Sequence, residues 1–261
     1  MKKLQANIYD FPHYYDLVFG SDTAAELRFL RHSFSRFVQG EVRRVFEPAC
    51  GTGRLLYKLG RQDGLEVGGV DLNPKAVDFC NRRLERYGIH GRALVGDMAN
   101  FDVSQPYDAA FNTINSFRHL PDEGSAIKHL QCVAEAVRPG GIYALGLHLT
   151  PTAGEATDEE SWSARRGQLA IKTHMWPIDK DPVRRVERFG IAFDIYKPTD
   201  SFRIEDVLVL RSYTLSQFHQ LIAAVPQWQW VETFDFRYDI RRPIELGPES
   251  EDIVAILRRR S

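Results

Sequence analysis

Apolar residues recur along this chain in two different rhythms. Over the first 150 residues, short apolar runs alternate with stretches of helical period. "VRRVFEPA" (42–49) reads as a strand, and "GRLLYKLG" (53–60) sets Leu55, Leu56 and Leu59 on one helical face that ends at Gly60. "LEVGGVDL" (65–72) is a second strand. Asn73-Pro74 then supplies an N-cap and a first-turn proline to a helix carrying Val77, Cys80 and Leu84 as far as Gly88. "RALVGDM" (92–98) and "YDAAFNTI" (107–114) are the third and fourth strands. A helix from about Asp122 to Val137 keeps Ile127, Leu130, Val133 and Val137 on one side, and "GIYALGLHL" (141–149) is the fifth strand. Strands separated by helices of this length need right-handed crossovers, which make a parallel sheet covered on both faces.

After Leu149 the rhythm becomes two. Residues 151–165, acidic and turn-rich, read as a loop. "QLAIKTHMW" (168–176), "VERFGIAFDIY" (186–196) and "RIEDVLVLRSY" (203–213) then alternate as an antiparallel meander, with Phe189, Ile191, Phe193 and Ile195 on one face and Arg188, Asp194 and Tyr196 on the other. A small sheet cannot bury two faces alone, so the apolar face covers the main domain or pairs with a second copy. "TLSQFHQLIAAV" (214–225) restores a helix capped by Thr214. "WQWVETFDF" (228–236) and "EDIVAILRR" (251–259) read as closing strands that pair antiparallel, joined by a polar surface connection over 237–250.

Composition narrows the function classes. The chain has 261 residues, is 43% hydrophobic and carries a formal net charge of -1, so it can hold one sizeable core and exerts no global pull on nucleic acid or anionic membrane. Its three cysteines are far apart and the histidines show no metal-ligand spacing, which points to reduced thiols, a cytoplasmic location and no metal. The first 20 residues have a basic start but no apolar core or cleavage site, and no apolar run reaches membrane-spanning length.

The candidate chemistry lies in "FEPACGTGRLL" (46–56). Two glycines at a strand-to-helix turn let backbone approach a ligand, and the helix behind them presents free N–H groups that suit a phosphate or carboxylate. A dinucleotide site wants a third glycine where this chain has Leu56. Glu47, four residues ahead of Gly51, would repel a pyrophosphate but suits a ligand with an ammonium beside its carboxylate.

"EPACGTG" in this position resembles the first motif of the class I S-adenosylmethionine-dependent methyltransferases. "GVDLNPKAV" resembles the second motif, "LVGDM" the third, "YDAAFNTINSFRHL" the fourth, and "AVRPGGIYAL" the approach to the fifth strand. The resemblance implies an α/β fold, with a Rossmann-like seven-stranded mostly parallel sheet, helices on both faces, the last strand antiparallel, and an antiparallel β meander inserted after the fifth strand. It divides the chain into an N-terminal helical and aromatic lid (1–40), a cofactor-binding core (41–149), a β cap (150–213) and a closing helix with two strands (214–261). It implies S-adenosyl-L-methionine as cofactor, with Glu47 at the methionine ammonium, Asp71 at the ribose hydroxyls, Asp97 and Met98 at the adenine, and Ala49, Gly51, Gly53, Leu72 and Thr113 as further cofactor contacts. Tyr14 or Tyr15 of the lid would shield the sulfonium, since aromatic faces attract cations. The fourth motif lacks the Asn/Asp-Pro-Pro-aromatic run of base methylation and the paired glutamates of arginine methylation. The acceptor implied is a small-molecule amine or hydroxyl, with nucleic acid and membrane excluded as partners and a homodimer through the cap possible. A hydroxyl needs a base, for which His119 and His148 are the candidates, and Arg211 and Tyr213 are the candidate acceptor contacts. The competing readings are a non-catalytic binder of the same cofactor and a dinucleotide-dependent oxidoreductase.

Overall fold

The computed structural model describes residues 1–153 and 159–261. In chain order its strands are β1 (Lys2–Gln5), β2 (Arg44–Pro48), β3 (Glu66–Asp71), β4 (Gly91–Val95), β5 (Tyr107–Asn112), β6 (Val137–His148), β7 (Glu160–Arg166), β8 (Leu169–Asp181), β9 (Val186–Tyr196), β10 (Ser201–Arg211), β11 (Trp228–Phe234) and β12 (Asp252–Arg259). Its helices are α1 (Pro12–Gly20), α2 (Ala24–Phe37), α3 (Leu56–Asp63), α4 (Pro74–Arg86), α5 (Glu123–Ala136) and α6 (Leu215–Ala223).

The main sheet runs β11-β12-β6-β5-β2-β3-β4, with β12 antiparallel to both of its neighbours. β2, β3, β4, β5 and β6 pair in parallel. One apolar layer, including Leu130, Val133, Tyr143 and Phe218, fills the α5 and α6 side. A second, including Phe29, Phe34, Leu56 and Val77, fills the α2, α3 and α4 side. The order reverses between β5 and β2, and in open α/β sheets ligands bind at the carboxyl ends of the strands flanking such a reversal.

Local signals explain the helix ends. Asn73 caps α4 by accepting from the N–H groups of Lys75 and Ala76, and Thr214 and Gln217 form a capping box on α6. The expected helix over 53–60 is shifted. Residues 49–53 form the glycine turn, α3 starts at Leu56, and Gly64 in the left-handed region ends it. Gly60 lies inside α3, where a Cβ would meet Ile89 Cγ2 at 2.3 Å, so the close packing there favours glycine.

The cap is a five-stranded sheet in the order β1-β10-β9-β8-β7. Two of its strands depart from the sequence expectation. β7 occupies the second half of the stretch read as a loop, whose residues 154–158 lie outside the described ones. β1, at the very N-terminus, pairs in parallel with β10. The apolar face of β9 does cover this chain's own elements. Ile191, Phe193 and Ile195 are buried with Ile8, Leu17 and Val18 of the N-terminal segment. Phe189 takes part differently, on the wall of the cavity described next.

Candidate active site

The carboxyl ends of β2, β3, β5 and β6, the N-terminal segment and the cap enclose a cavity of about 970 Å³. Its inner half is built by the turn after β2. Ala49, Gly51 and Gly53 all have positive φ, and Asp71 Oδ2 accepts the Gly51 N–H at 2.8 Å. A Cβ on Gly51 would stand 4.0 Å from both Asp71 and the Tyr15 ring, and one on Gly53 would strike Cys80 Sγ at 2.3 Å. Gly53 therefore requires glycine by space and backbone together, whereas Gly51 is favoured by its positive φ alone. Asp71 Oδ1 also accepts the Asn73 N–H at 2.8 Å. Burial pushes the Asp71 carboxyl up, and the two backbone donors oppose that shift. Leu72, Met98 and Tyr15 complete this half.

A recess of about 30 Å³ adjoins the turn, lined by Glu47, Asn112 and Thr113 among others. Glu47 Oε2 and Asn112 Oδ1 are buried with no hydrogen-bond partner among the described residues. Two buried acceptors without donors call for a ligand group that supplies N–H bonds. Burial pushes the Glu47 carboxyl well above the usual carboxylate range. Thr113 Oγ1 donates to Glu26 Oε1 at 2.7 Å, and Glu26 pairs both carboxylate oxygens with Arg54, at 2.5 and 2.8 Å.

The outer half is walled by the cap. Trp162, Met175, Phe189, Ile191, Leu208 and Leu210 supply apolar surface. Polar groups come from the core side. His148 Nδ1 lies 2.8 Å from Asp252 Oδ1, and its Nε2 lies 3.0 Å from Glu251 Oε1. His119 Nε2 lies 3.0 Å from the Tyr9 hydroxyl. Asp22 and Glu160 also line the cavity, and neither side chain has a hydrogen-bond or ion partner among the described residues.

Eight of the sequence candidates line this cavity: Tyr15, Ala49, Gly51, Asp71, Leu72, Met98, His119 and His148. Glu47 and Thr113 line the recess. The others stand apart. Tyr14 packs on Phe11 and Phe202, facing the cap. Gly53 is internal to the turn. Asp97 is exposed and caps its own turn through the Ala99 N–H at 2.8 Å. Tyr213 is fully buried beside Phe117, and Arg211 reaches the Pro121 carbonyl at 3.3 Å. These last two hold the cap's return strand to the core. Sequence reasoning passed over Tyr9, Asp252 and the pair Phe236 and Tyr238, all on the cavity wall. Asp252 had a readable signal, since pairing the closing strand in register sets it directly across from His148.

Residues 45–141 match the family model described as a methyltransferase domain. The chain carries a class I S-adenosylmethionine-dependent methyltransferase domain. It is 26% identical over 134 residues to the 27-O-demethylrifamycin SV methyltransferase of Amycolatopsis mediterranei, covering 49% of this chain and 48% of that one. It is 30% identical over 122 residues to the demethylmenaquinone methyltransferase of Thermus thermophilus, covering 45% and 52%. The matched stretch thus spans about half the length of each relative. A crystal structure of an S-adenosylmethionine-dependent methyltransferase from Clostridium acetobutylicum superposes with a TM-score of 0.77 at 16% identity, covering 98% of this chain and 100% of that one, a likeness in fold that includes the cap. S-Adenosylmethionine is the methyl donor of this domain type, and the orphaned oxygens of Glu47 and Asn112 beside the glycine turn fit its ammonium group. Among the described residues no helix is long and apolar enough to cross a membrane.

Proposed function

We propose that this chain methylates a small molecule, largely apolar in shape, at an amine nitrogen. The observation that carries the reading is the charge of the outer cavity half. Asp22 and Glu160 have no ion partner among the described residues, and the one guanidinium on that wall, Arg118, is already paired with Glu187.

S-Adenosylmethionine supplies a methyl group activated by its sulfonium. Glu47 and Asn112 would receive the ammonium, Asp71 the ribose hydroxyls, and Leu72 and Met98 would flank the adenine. Tyr15, beside the glycine turn, would cover the sulfonium. As the methyl group moves, positive charge passes to the acceptor nitrogen. Asp22, Glu160 and Asp252 would stabilise that charge where it develops. Alignment of donor and acceptor supplies the rest. A neutral amine attacks without a base, and each histidine already has a hydrogen-bond partner: His119 through Nε2, and His148 through both ring nitrogens. The cavity, about 970 Å³, lies at the upper end of the roughly 300–1,000 Å³ typical of ligand pockets. Both named relatives act on small molecules by their names.

A hydroxyl acceptor is the second reading, favoured by the 2.8 Å His148–Asp252 contact on the cavity wall. The experiment is release of S-adenosylhomocysteine from S-adenosylmethionine with matched panels of apolar amines and alcohols. Turnover of amines, with a rate that rises through the amine's own pKa, is expected. Turnover confined to the alcohols would overturn the nitrogen assignment, and no turnover with tight cofactor binding would favour a non-catalytic binder.

A further inference from the structure

We propose that Tyr9 is a positioning residue that holds His119 as an N–H donor facing the acceptor half of the cavity, and that His119 serves there as a hydrogen-bond donor to a lone pair of the acceptor molecule, not as a base. The inference rests on the methyltransferase reading only for what fills the cavity.

The two residues come from distant parts of the chain. Tyr9 sits in a 3-10 turn, Ile8–Asp10, between β1 and α1, and His119 ends the turn Ser116–His119 after β5. Both line the cavity. The hydroxyl lies 3.0 Å from Nε2, and the rings meet edge to face at 5.7 Å. A hydroxyl facing an imidazole nitrogen donates to a lone pair or accepts from an N–H. Nε2 is the one hydrogen-bond partner of the Tyr9 hydroxyl among the described residues, and donating to it is the arrangement that satisfies the phenol proton. The Tyr9 phenol is pushed well above its ordinary value by burial and by the charges of Tyr15, Asp206 and Asp71, so it keeps its proton. Desolvation on the cavity wall, and then the neighbouring Arg118 guanidinium, lowers His119 from its ordinary value, which favours the neutral ring. The charged groups around the pair are Arg118 on the histidine's own turn, Asp206 on β10 and Asp71 at the end of β3. None of them meets the second ring nitrogen.

A neutral imidazole carries one proton. With Nε2 accepting from Tyr9, that proton is on Nδ1. Nδ1 has no partner among the described residues, and His119 is more than a third exposed, on the cavity wall. The open nitrogen therefore donates, and no lone pair of the ring remains to take a proton from the acceptor.

The position of Tyr9 gives the bond a second meaning. Ile8 donates its N–H to Asp206 on the cap at 3.0 Å, and Asp10 accepts from Asn73 Nδ2, beside Asp71, at 2.9 Å. The segment that orients His119 is thus the one that ties the cap to the ribose end of the inner half. Its seating is reported to the acceptor side through one hydrogen bond.

The test is nitrogen-15 NMR of the histidine rings in the full chain, with and without S-adenosylhomocysteine. We expect His119 as a single neutral tautomer protonated on Nδ1, titrating below free histidine. Tyr9→Phe should give a mixture of tautomers and raise the titration midpoint by about half to one pH unit, the equivalent of one neutral hydrogen bond. Tyr15→Phe, whose ring lies 5.3 Å from Tyr9 but does not touch His119, should leave the tautomer unchanged. An Nε2-protonated ring in the wild type overturns the proposal, and so does an unchanged titration in Tyr9→Phe. If that variant fails to fold, the wild-type tautomer alone decides. Failure of S-adenosylhomocysteine to bind would count against the methyltransferase reading and leave the tautomer result standing.

Discussion

The buried Glu47 carboxyl has one oxygen without a partner, in surroundings that favour its protonated form. A ligand ammonium beside it reverses that preference, because an opposite charge at contact distance favours the ionised acid. Binding of S-adenosylhomocysteine should therefore release a proton, and affinity should rise with pH through the range in which free Glu47 titrates. Calorimetry in buffers of different ionisation enthalpy reads this directly, and buffer-independent heats would contradict it. Asp71 should behave differently, since in the proposed arrangement it would hold the ligand as well as the turn, whose Gly51 N–H it accepts. Asp71→Ala removes charge-assisted bonds worth on the order of 1.5–3 kcal/mol, so affinity for the same ligand should drop roughly tenfold to a hundredfold. His129 is a third case, remote from the acceptor. It is fully buried, with Nδ1 2.9 Å from the Met98 carbonyl and Nε2 2.9 Å from the Tyr143 hydroxyl, and burial lowers its pKa to about 4. The folded ring stays neutral where the unfolded one protonates, near the ordinary value of about 6.5. Stability from this residue is complete above that value and is lost as pH falls toward 4, by about 3 kcal/mol in all. Urea unfolding across that range should show a shallower pH slope in His129→Gln. Glu47 and Asp71 were legible because strand ends and the glycine turn fix their places. Tyr14 and Tyr15 were not separable, since adjacent residues point about 100° apart on a helix whose facing partners are unknown from sequence.

The cap is joined to the core by elements that a linear pattern does not reveal. β2 to β6 and the closing strands were legible because each carries an apolar run with flanking turn residues. β1 was not, because its four residues "KKLQ" are all exposed and gain their strand conformation only from pairing with β10. β7 was hidden for the same reason: of its seven residues only Ala164 is buried, so no alternation marks it. Deleting residues 1–5 should leave the core folded and loosen the N-terminal segment, so that S-adenosylhomocysteine dissociates faster in a stopped-flow displacement experiment. An unchanged off-rate would mean that Asp10 and α1 seat the segment without β1. The latch between cap and core is stronger. Arg118, fully buried after β5, pairs with Glu187 of β9 and donates through Nε to the Arg211 carbonyl at 2.8 Å. Removing Arg118 leaves Glu187 with Lys180 at 3.1 Å and the Thr150 hydroxyl at 3.2 Å, so the cost falls below the roughly 3–5 kcal/mol of a fully uncompensated buried charge. Arg118→Met should lower the unfolding midpoint accordingly, and Glu187→Leu in the same chain should restore much of it. If the double variant is no more stable than the single, the pair is not the latch.

At the scale of the molecule, the cavity is closed by one continuous segment. From Asn7 to Thr23 the chain crosses the mouth and is fastened on both sides. Asp16 pairs with Arg83 at 2.6 Å and accepts from Thr52 at 3.2 Å, and Lys58 holds the Gly20 carbonyl at 3.1 Å. Because the segment buries its own apolar side under the cap, that face is satisfied within one chain and leaves no need for a second copy there. The fastenings tie the segment to the glycine turn and α4, so its stability depends on what the inner half holds. Hydrogen exchange should therefore show residues 7–23 and the turn 49–53 gaining protection together when S-adenosylhomocysteine binds, as one cooperative unit. The connection over 237–250 gives the contrast. The sequence predicts a surface segment throughout, yet its start reaches inward, with Tyr238 donating to the Thr113 carbonyl at 2.9 Å and lining the cavity. Its later part has few backbone bonds, among them Ile244 N–H to Thr233 at 2.9 Å. The amides around Tyr238 should slow on ligand binding, whereas 245–250 should exchange rapidly with or without ligand. Protection confined to the strand ends, with 7–23 unchanged, would mean that the ligand enters without engaging the segment and that the closure is a fixed part of the fold.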